Sequence, residues 1–391
     1  MRAPFLAAAL TIAITQAAAS APCGGDFGAF VDDLAAEAVA AGQPPATVAS
    51  FFQPVRPDPA VLRADRAQGI FRTEFTDFAR RLISQHRLQH GRRNGEVHRE
   101  TLERARRDYG VPPGILLAFW AFETDFGAFQ GDYNTANALV TLAHDCRRPE
   151  LFRPQVLAAI ELYARGQFDP ARTSGAWAGE IGQVQMLPAD ILESGVDGDG
   201  DGRVDLKGSV PDALLSGANL LRNLGWRAGA PWLHEVTLPD TLDWSLTGLR
   251  SELTVADWVA LGVEPRHGSL PAGETRAWVL VPQGRHGPAF MVFPNFHVLF
   301  EWNQSFVYVV TTAYFATRLE GAPVFDPGNP DPGLNPDEMR ELQRRLEARG
   351  HGVGGVDGIL GARTRASVQA VQQELGLPAD AWPTRALLNR L

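Results

Sequence analysis

Lysine is nearly absent from this chain of 391 residues: Lys207 is the only one, although Lys and Arg together number 36. Covalent chemistry through a lysine amine would have to rest on that single residue. Cysteine is almost as scarce, with Cys23 and Cys146 alone, and neither sits in a convincing nucleophile context. The nine histidines show no zinc spacing, and there is no Gly-x-Ser-x-Gly elbow. Positive charge is outweighed as well: the net charge of −9 and pI near 5.5 argue against nucleic acid as a partner. Beyond the N-terminus no apolar run is long enough for a transmembrane segment.

What is present begins with Met1-Arg2-Ala3-Pro4, an apolar stretch too short to span a bilayer, and the small residues Ala19-Ser20-Ala21. This is the pattern of a signal peptide over residues 1–21, with cleavage expected after Ala19 or Ala21. Pro22 before Cys23 fits a lipoprotein site poorly. The mature protein is therefore expected to be exported, soluble and periplasmic. An oxidising compartment favours joining Cys23 to Cys146, although two buried free thiols fit the same count.

Residues 111–127 hold one ionisable group, Glu123, before Asp125. Pro113 suits a first helical turn and Gly127 an exit. The helix between them is apolar on nearly all faces, hence buried. Phe119, Trp120, Phe126 and Gly127 lie one turn away on the face of Glu123. Lost hydration would raise its pKa, the condition for a general acid acting on a glycosidic oxygen. A core Glu paired to an Arg fits this segment equally well.

Helical patterning covers residues 27–41, 71–88, 99–108, 154–165 and 296–319. Residues 232–238, 276–281 and 289–293 read as strands, the last two joined by a hairpin-type loop. The expected class is mainly α (α+β): a helical domain over 22–320 with a small antiparallel β insertion. Residues 321–333, rich in Pro, Gly and Asp, read as a linker. Residues 334–391 read as three short helices, with Asn335 capping the first and Glu338 closing a capping box.

Asp197-Gly198-Asp199-Gly200-Asp201-Gly202-Arg203 matches the start of a calcium loop, with Arg203 offering its carbonyl. Gly208 stands where the closing carboxylate is expected, so Asp212 is the nearest substitute. The Gly-punctuated run 355–364 lacks the lysine of a P-loop, and its glycines suit a tight interhelical turn with a shallow ligand groove. Residues 175–188 combine small residues, Trp177 and two amides able to line a groove. Glu180 within them is a second carboxylate without an evident partner.

Taken in order, residues 122–127, 138–143, 177–188, 196–203, 295–296 and 302–305 resemble the lytic murein transglycosylases of the B type, which have a lysozyme-like catalytic core. The resemblance covers residues 26–320. It implies that Glu123 is the catalytic acid and then base, and that Gln185, Trp302, Asn303, Ser305 and Tyr308 line a groove for peptidoglycan glycan strands. It implies no catalytic cofactor, but a structural Ca2+ on the loop of Asp197, Asp199, Asp201, Arg203 and Asp212. Two departures stand out: Ala176 where many relatives carry Ser, and Trp302 where they usually carry Tyr. The C-terminal module resembles a three-helix peptidoglycan-binding domain through residues 357–361 and Thr364. The implied reaction forms 1,6-anhydromuramyl ends. A muramidase-type hydrolase and a non-catalytic wall-binding scaffold are the alternatives.

Overall fold

The computed structural model describes residues 22–67 and 73–391. The expected signal peptide lies outside them. The chain is mainly helical. The helix Pro113–Thr124 runs through the centre of the larger unit, with Gly114 to Ala121 all buried. Against it pack Phe306–Leu319, Gln85–Val97, Arg99–Tyr109 and Val210–Asn223. The helices approach closely at Gly114, where an added Cβ would meet the Ala316 carbonyl oxygen at 2.6 Å. From that neighbouring helix's C-terminus, Glu320 Oε1 accepts the Gly114 N–H at 2.9 Å. One carboxylate thus satisfies an otherwise orphaned donor at a buried helix start.

The exit of this helix differs from the expected glycine cap. Asp125 and Phe126 already have positive φ (51° and 62°) before Gly127 at 86°. Arg87 holds Asp125 by a 3.0 Å ion pair. Thr124 Oγ1 accepts the Gly127 N–H and donates to the Gln183 carbonyl. Left-handed backbone at a bulky residue costs on the order of 1–3 kcal/mol, and these bonds hold it in place.

Two continuous helical patterns turn out to be broken. The span 71–88 is cut at Ile83 and Ser84 into Phe75–Leu82 and Gln85–Val97, because Ser84 caps the second helix by accepting from Arg87 N; residues 71–72 lie outside the described residues. The span 296–319 divides into Pro294–Trp302 and Phe306–Leu319, with Asn303 extended and Ser305 as the new N-cap. The helix expected at 154–165 starts earlier, as Pro149–Ala164, with Pro149 in its first turn.

The β insertion is a four-stranded antiparallel sheet. Leu233–Thr237 pairs with both Glu264–Pro265 and Phe290–Val292, and the latter pairs with Trp278–Leu280 in the register Trp278↔Val292. A small core gathers on this sheet around Trp258, whose indole donates to the Ala277 carbonyl at 3.0 Å.

The C-terminal module is three helices, Pro336–Ala348, Ala362–Glu374 and Arg385–Leu388, around Leu342, Leu346, Val368, Val371 and Leu387. Asn335 accepts from Asp337 N and Glu338 N while Glu338 accepts from Asn335 N, so the capping box forms. The Pro/Gly segment before it has no regular secondary structure, yet it is fastened at both ends. Phe325 enters an aromatic group with Phe75, Phe290 and Tyr314, and the Trp382 indole donates to Asp331 O at 2.8 Å. Between the two units the Arg365 guanidinium lies 4.3 Å from the Phe306 ring centre and donates to Pro282 O at 2.7 Å.

Cys23 and Cys146 form a disulfide, tying the start of the described chain to the end of helix Thr135–His144. Replacing both by serine should destabilise the fold by about 2–5 kcal/mol, given 123 residues of separation. Thermal melts of the two proteins check this, and coincident melts would show that the bond contributes nothing.

Candidate active site

Glu123 sits in the last turn of Pro113–Thr124, facing the start of Phe306–Leu319. The break at Asn303 to Ser305 sets its surroundings. It turns the chain so that Trp302, ending one helix, and Tyr308, opening the next, both reach the same carboxyl. The Tyr308 hydroxyl and the Trp302 Nε1–H, the latter at 3.2 Å, both donate to Oε1. The Trp302 ring stacks on Phe119 at 4.2 Å and Phe122 stacks on Phe315 at 4.9 Å, which fixes the walls.

Burial pushes the Glu123 carboxyl up to about 7. The Tyr308 hydrogen bond opposes this, the negative field of Glu180 adds to it, and the Trp302 bond again opposes it. Tyr308 itself is held well above the usual phenol range by burial and by Glu123, so it stays a neutral donor. Near neutral pH this carboxyl can therefore both give and take a proton.

Beside Glu123 opens a cavity of about 650 Å3. Trp177, Glu180, Trp302, Asn303 and Ser305 are among the residues that line it. Trp302 is shared, its ring bordering the cavity while its indole N–H reaches Glu123. Of the residues expected in the groove, Trp302, Asn303 and Ser305 are thus brought together. Tyr308 is buried and serves the carboxyl. Gln185 does not border this cavity: its backbone has φ 53°, and its Nε2 donates to Gly182 O at 2.7 Å.

Several participants escaped the sequence reading. Gln183, two residues from Gln185, is buried, accepts the Trp120 indole N–H at 3.0 Å and donates to Lys207 O. Nothing in spacing separated these two amides. The turn Ile359-Leu360-Gly361 of the C-terminal module forms part of the cavity wall; its glycine-rich sequence suggested a groove, but not one shared with the other unit. Glu180 acquires surroundings here: burial raises its pKa, and backbone N–H groups of its own loop and the charge of Arg148 oppose that rise. Its Oε2 is shielded from solvent and has no hydrogen-bond partner.

In the acidic loop, Asp197, Asp199 and the fully buried Asp212 converge, with carboxylate oxygens within 4.8 Å of one another. Asp212 takes the closing position left empty by Gly208. Its Oδ1 accepts from Gly198 N, and its Oδ2 from Asp205 N at 2.7 Å. Asp201 lies outside the converging group, its carboxylate accepting from Arg203 N at 2.9 Å. An all-oxygen set of three carboxylates suits a hard divalent cation.

Two outcomes follow from the Glu123 environment. Its folded value of about 7 lies above the ordinary 4.5, so the stability it contributes is present below pH 4.5 and lost as pH rises through about 7. Glu123→Gln should therefore raise Tm relative to the parent at pH 8 but not at pH 4, and a pH-independent difference would contradict the burial argument. Tyr308→Phe removes a donor to the charged form, so the alkaline limb of the kcat/KM profile should move up by about 1 pH unit. A profile that stays in place would remove Tyr308 from this role.

A model of the transglycosylase SLT domain matches residues 26–317, and one of a peptidoglycan binding domain matches residues 335–391. SltB3 from Pseudomonas aeruginosa, solved in complex with NAG-anhNAM-pentapeptide, is 37% identical, with a TM-score of 0.85 over 94% of this chain and 99% of that one. Soluble lytic transglycosylase SltB1 from the same organism is 26% identical, with a TM-score of 0.66 over 75% of this chain and 99% of its own. Membrane-bound lytic murein transglycosylase B of Escherichia coli (strain K12) is 26% identical over 234 residues, 60% of this chain and 64% of that protein. The chain thus spans just under two thirds of that relative's length. With its helical core, Glu123 at the end of the central helix and its C-terminal three-helix module, the chain belongs to the transglycosylase SLT domain family.

Proposed function

We propose that this protein is a lytic transglycosylase that cleaves the β-1,4 bond between N-acetylmuramic acid and N-acetylglucosamine in peptidoglycan. The observation that carries this reading is Glu123, a carboxyl raised to about 7 beside a cleft bordered by Trp177 and Trp302. Protonated Glu123 gives its proton to the glycosidic oxygen as the bond to the muramyl anomeric carbon breaks. Positive charge develops on that carbon and is shared with the carbonyl oxygen of the sugar's own N-acetyl group. The Glu123 carboxylate then takes the proton of the muramyl 6-hydroxyl while that oxygen bonds the same carbon. The product is a 1,6-anhydro end, and no water is consumed. Tyr308 and Trp302 stabilise the carboxylate between the two transfers.

Glu180 is the feature that favours a two-carboxylate hydrolase. Such enzymes need their second carboxylate ionised, as nucleophile or base. Burial pushes Glu180 in the opposite direction, which supports the one-carboxylate route. No catalytic cofactor is required. Asp197, Asp199 and Asp212 suit a structural Ca2+, and the reading is that this ion ties the loop to helix Val210–Asn223. The disulfide and the signal-like first 21 residues support action in the periplasm, with glycan strands as the partner.

Mass spectrometry of digested sacculi should give muropeptides one water lighter than hydrolysis products, and reducing ends instead would establish a muramidase. Glu123→Gln should lower turnover by about 10²–10⁴-fold; equal release by both proteins, with wall binding retained, would make this a scaffold. Chelation should lower Tm and calcium should restore it, whereas an unchanged melt would count against the ion.

A further inference from the structure

A partly buried guanidinium stands where the two units join. Arg365 lies in the first turn of helix Ala362–Glu374, and its Nη2 donates to Pro282 O at 2.7 Å. Its Nε is shielded from solvent and has no hydrogen-bond partner. Asp380 is the carboxylate whose field reaches it, but that side chain accepts from Gln372 Nε2 at 2.8 Å and from Arg285 N at 3.1 Å. Burial accordingly pulls the Arg365 pKa down to about 9. A cation so poorly paired is a costly way to join two surfaces, because an apolar side chain of similar volume is often neutral or stabilising there. What Arg365 does have is aromatic. Its guanidinium lies 5.8 Å from the ring centre of Trp382, in its own module, and 4.3 Å from that of Phe306, in the larger unit.

Phe306 occupies a sensitive position. It is the first residue of Phe306–Leu319, just past the break at Asn303 to Ser305. Tyr308 follows two residues later, and at about 100° of turn per residue the two side chains leave the helix in nearly opposite directions. Phe306 meets the module, and Tyr308 donates to Glu123 Oε1. The first turn of a helix is its least secured part, since its N–H groups lack intrahelical partners. From the loop side, Ser305 Oγ accepts from Tyr308 N over a long 3.5 Å, and Asn303 Oδ1 accepts from Ser305 N at 2.9 Å. Arg365 closes the same turn from outside.

Taking Glu123 as the acid of the reaction proposed above, we infer that Arg365 is a positioning residue: through Phe306 it holds the first turn of Phe306–Leu319 so that the Tyr308 hydroxyl stays on the Glu123 carboxyl. The C-terminal module thereby influences proton transfer at an acid it does not touch. Apart from Tyr308 and Trp302, the charged groups that act on this pair are Glu180, whose field raises Glu123, and Arg87, whose charge lowers Tyr308. Both belong to the larger unit and stay unchanged in the test.

The test measures kcat/KM against pH for the full chain, its Arg365→Met and Phe306→Leu variants, and each of these combined with Tyr308→Phe. Loosening the Tyr308 bond destabilises the carboxylate, so the alkaline limb should move up in each single variant by about 0.5 pH unit, a threefold change in proton affinity. In the Tyr308→Phe background neither substitution should move the limb further, because the bond they act through is already gone. That cycle separates positioning from the direct field of a lost charge, which would shift the limb equally in both backgrounds. Thermal melts identify the folded variants, and either one alone is sufficient to decide. A limb that stays in place in a folded single variant, or an equal shift with and without Tyr308, would overturn the inference. Failure of the proposed reaction appears elsewhere, as reducing ends instead of anhydro ends in the product, and leaves the comparison of limbs intact.

Discussion

Glu123 can act as a proton donor near neutral pH because its partial burial between two helices disfavours the charged form. That burial depends on Gly114, whose missing side chain lets Pro113–Thr124 press on the backbone at Ala316. Glu320, from the same neighbouring helix, supplies the acceptor that the buried helix start would otherwise lack. At the other end of the contact, Tyr308 and Trp302 are delivered to Oε1. Packing and polar satisfaction act together here. Burial alone would hold Glu123 neutral, and two strong donors alone would hold it ionised, so their opposition sets an intermediate value.

Strain at the end of the central helix belongs to the same device. Three consecutive left-handed residues make the chain leave the helix abruptly just after the acid. Thr124, Gln183 and Arg87 grip the turn from three directions. The energy stored there is repaid by the surrounding packing, and the carboxyl gains a fixed aim. Gln183, bonded to Trp120, Thr124 and Lys207, acts on Glu123 through the turn that follows it.

Much of the fold was legible in the sequence where the signal was local. The apolar run around Glu123, the Asn335 capping box, the 276–293 hairpin and the acidic loop each carry their cause within a few residues. Asp212 was legible for a different reason, since the loop's own chemistry required a carboxylate that Gly208 could not provide. The failures are equally physical. Apolar periodicity runs straight through Ser84 and Ser305, and only the capping bonds show that the chain turns there. Gln183 and Gln185 have the same chemistry at adjacent odd positions, so three-dimensional contacts alone assign one to the core. The position of Glu180 beside Glu123, and of the C-terminal turn beside both, depends on contacts between distant parts of the chain.

The docked Pro/Gly segment changes what a wall-binding module can contribute. A module on a slack tether raises the local concentration of substrate and leaves orientation to chance. Here Phe325, Asp331 and Arg365 fasten the two units into one body. Landing on the wall would then set the angle at which a strand meets Glu123, as a jig sets a saw. Such an enzyme gives up reach for registration. Its choice of bond would depend on the architecture of the surface it lands on as much as on the sugar pair it cuts.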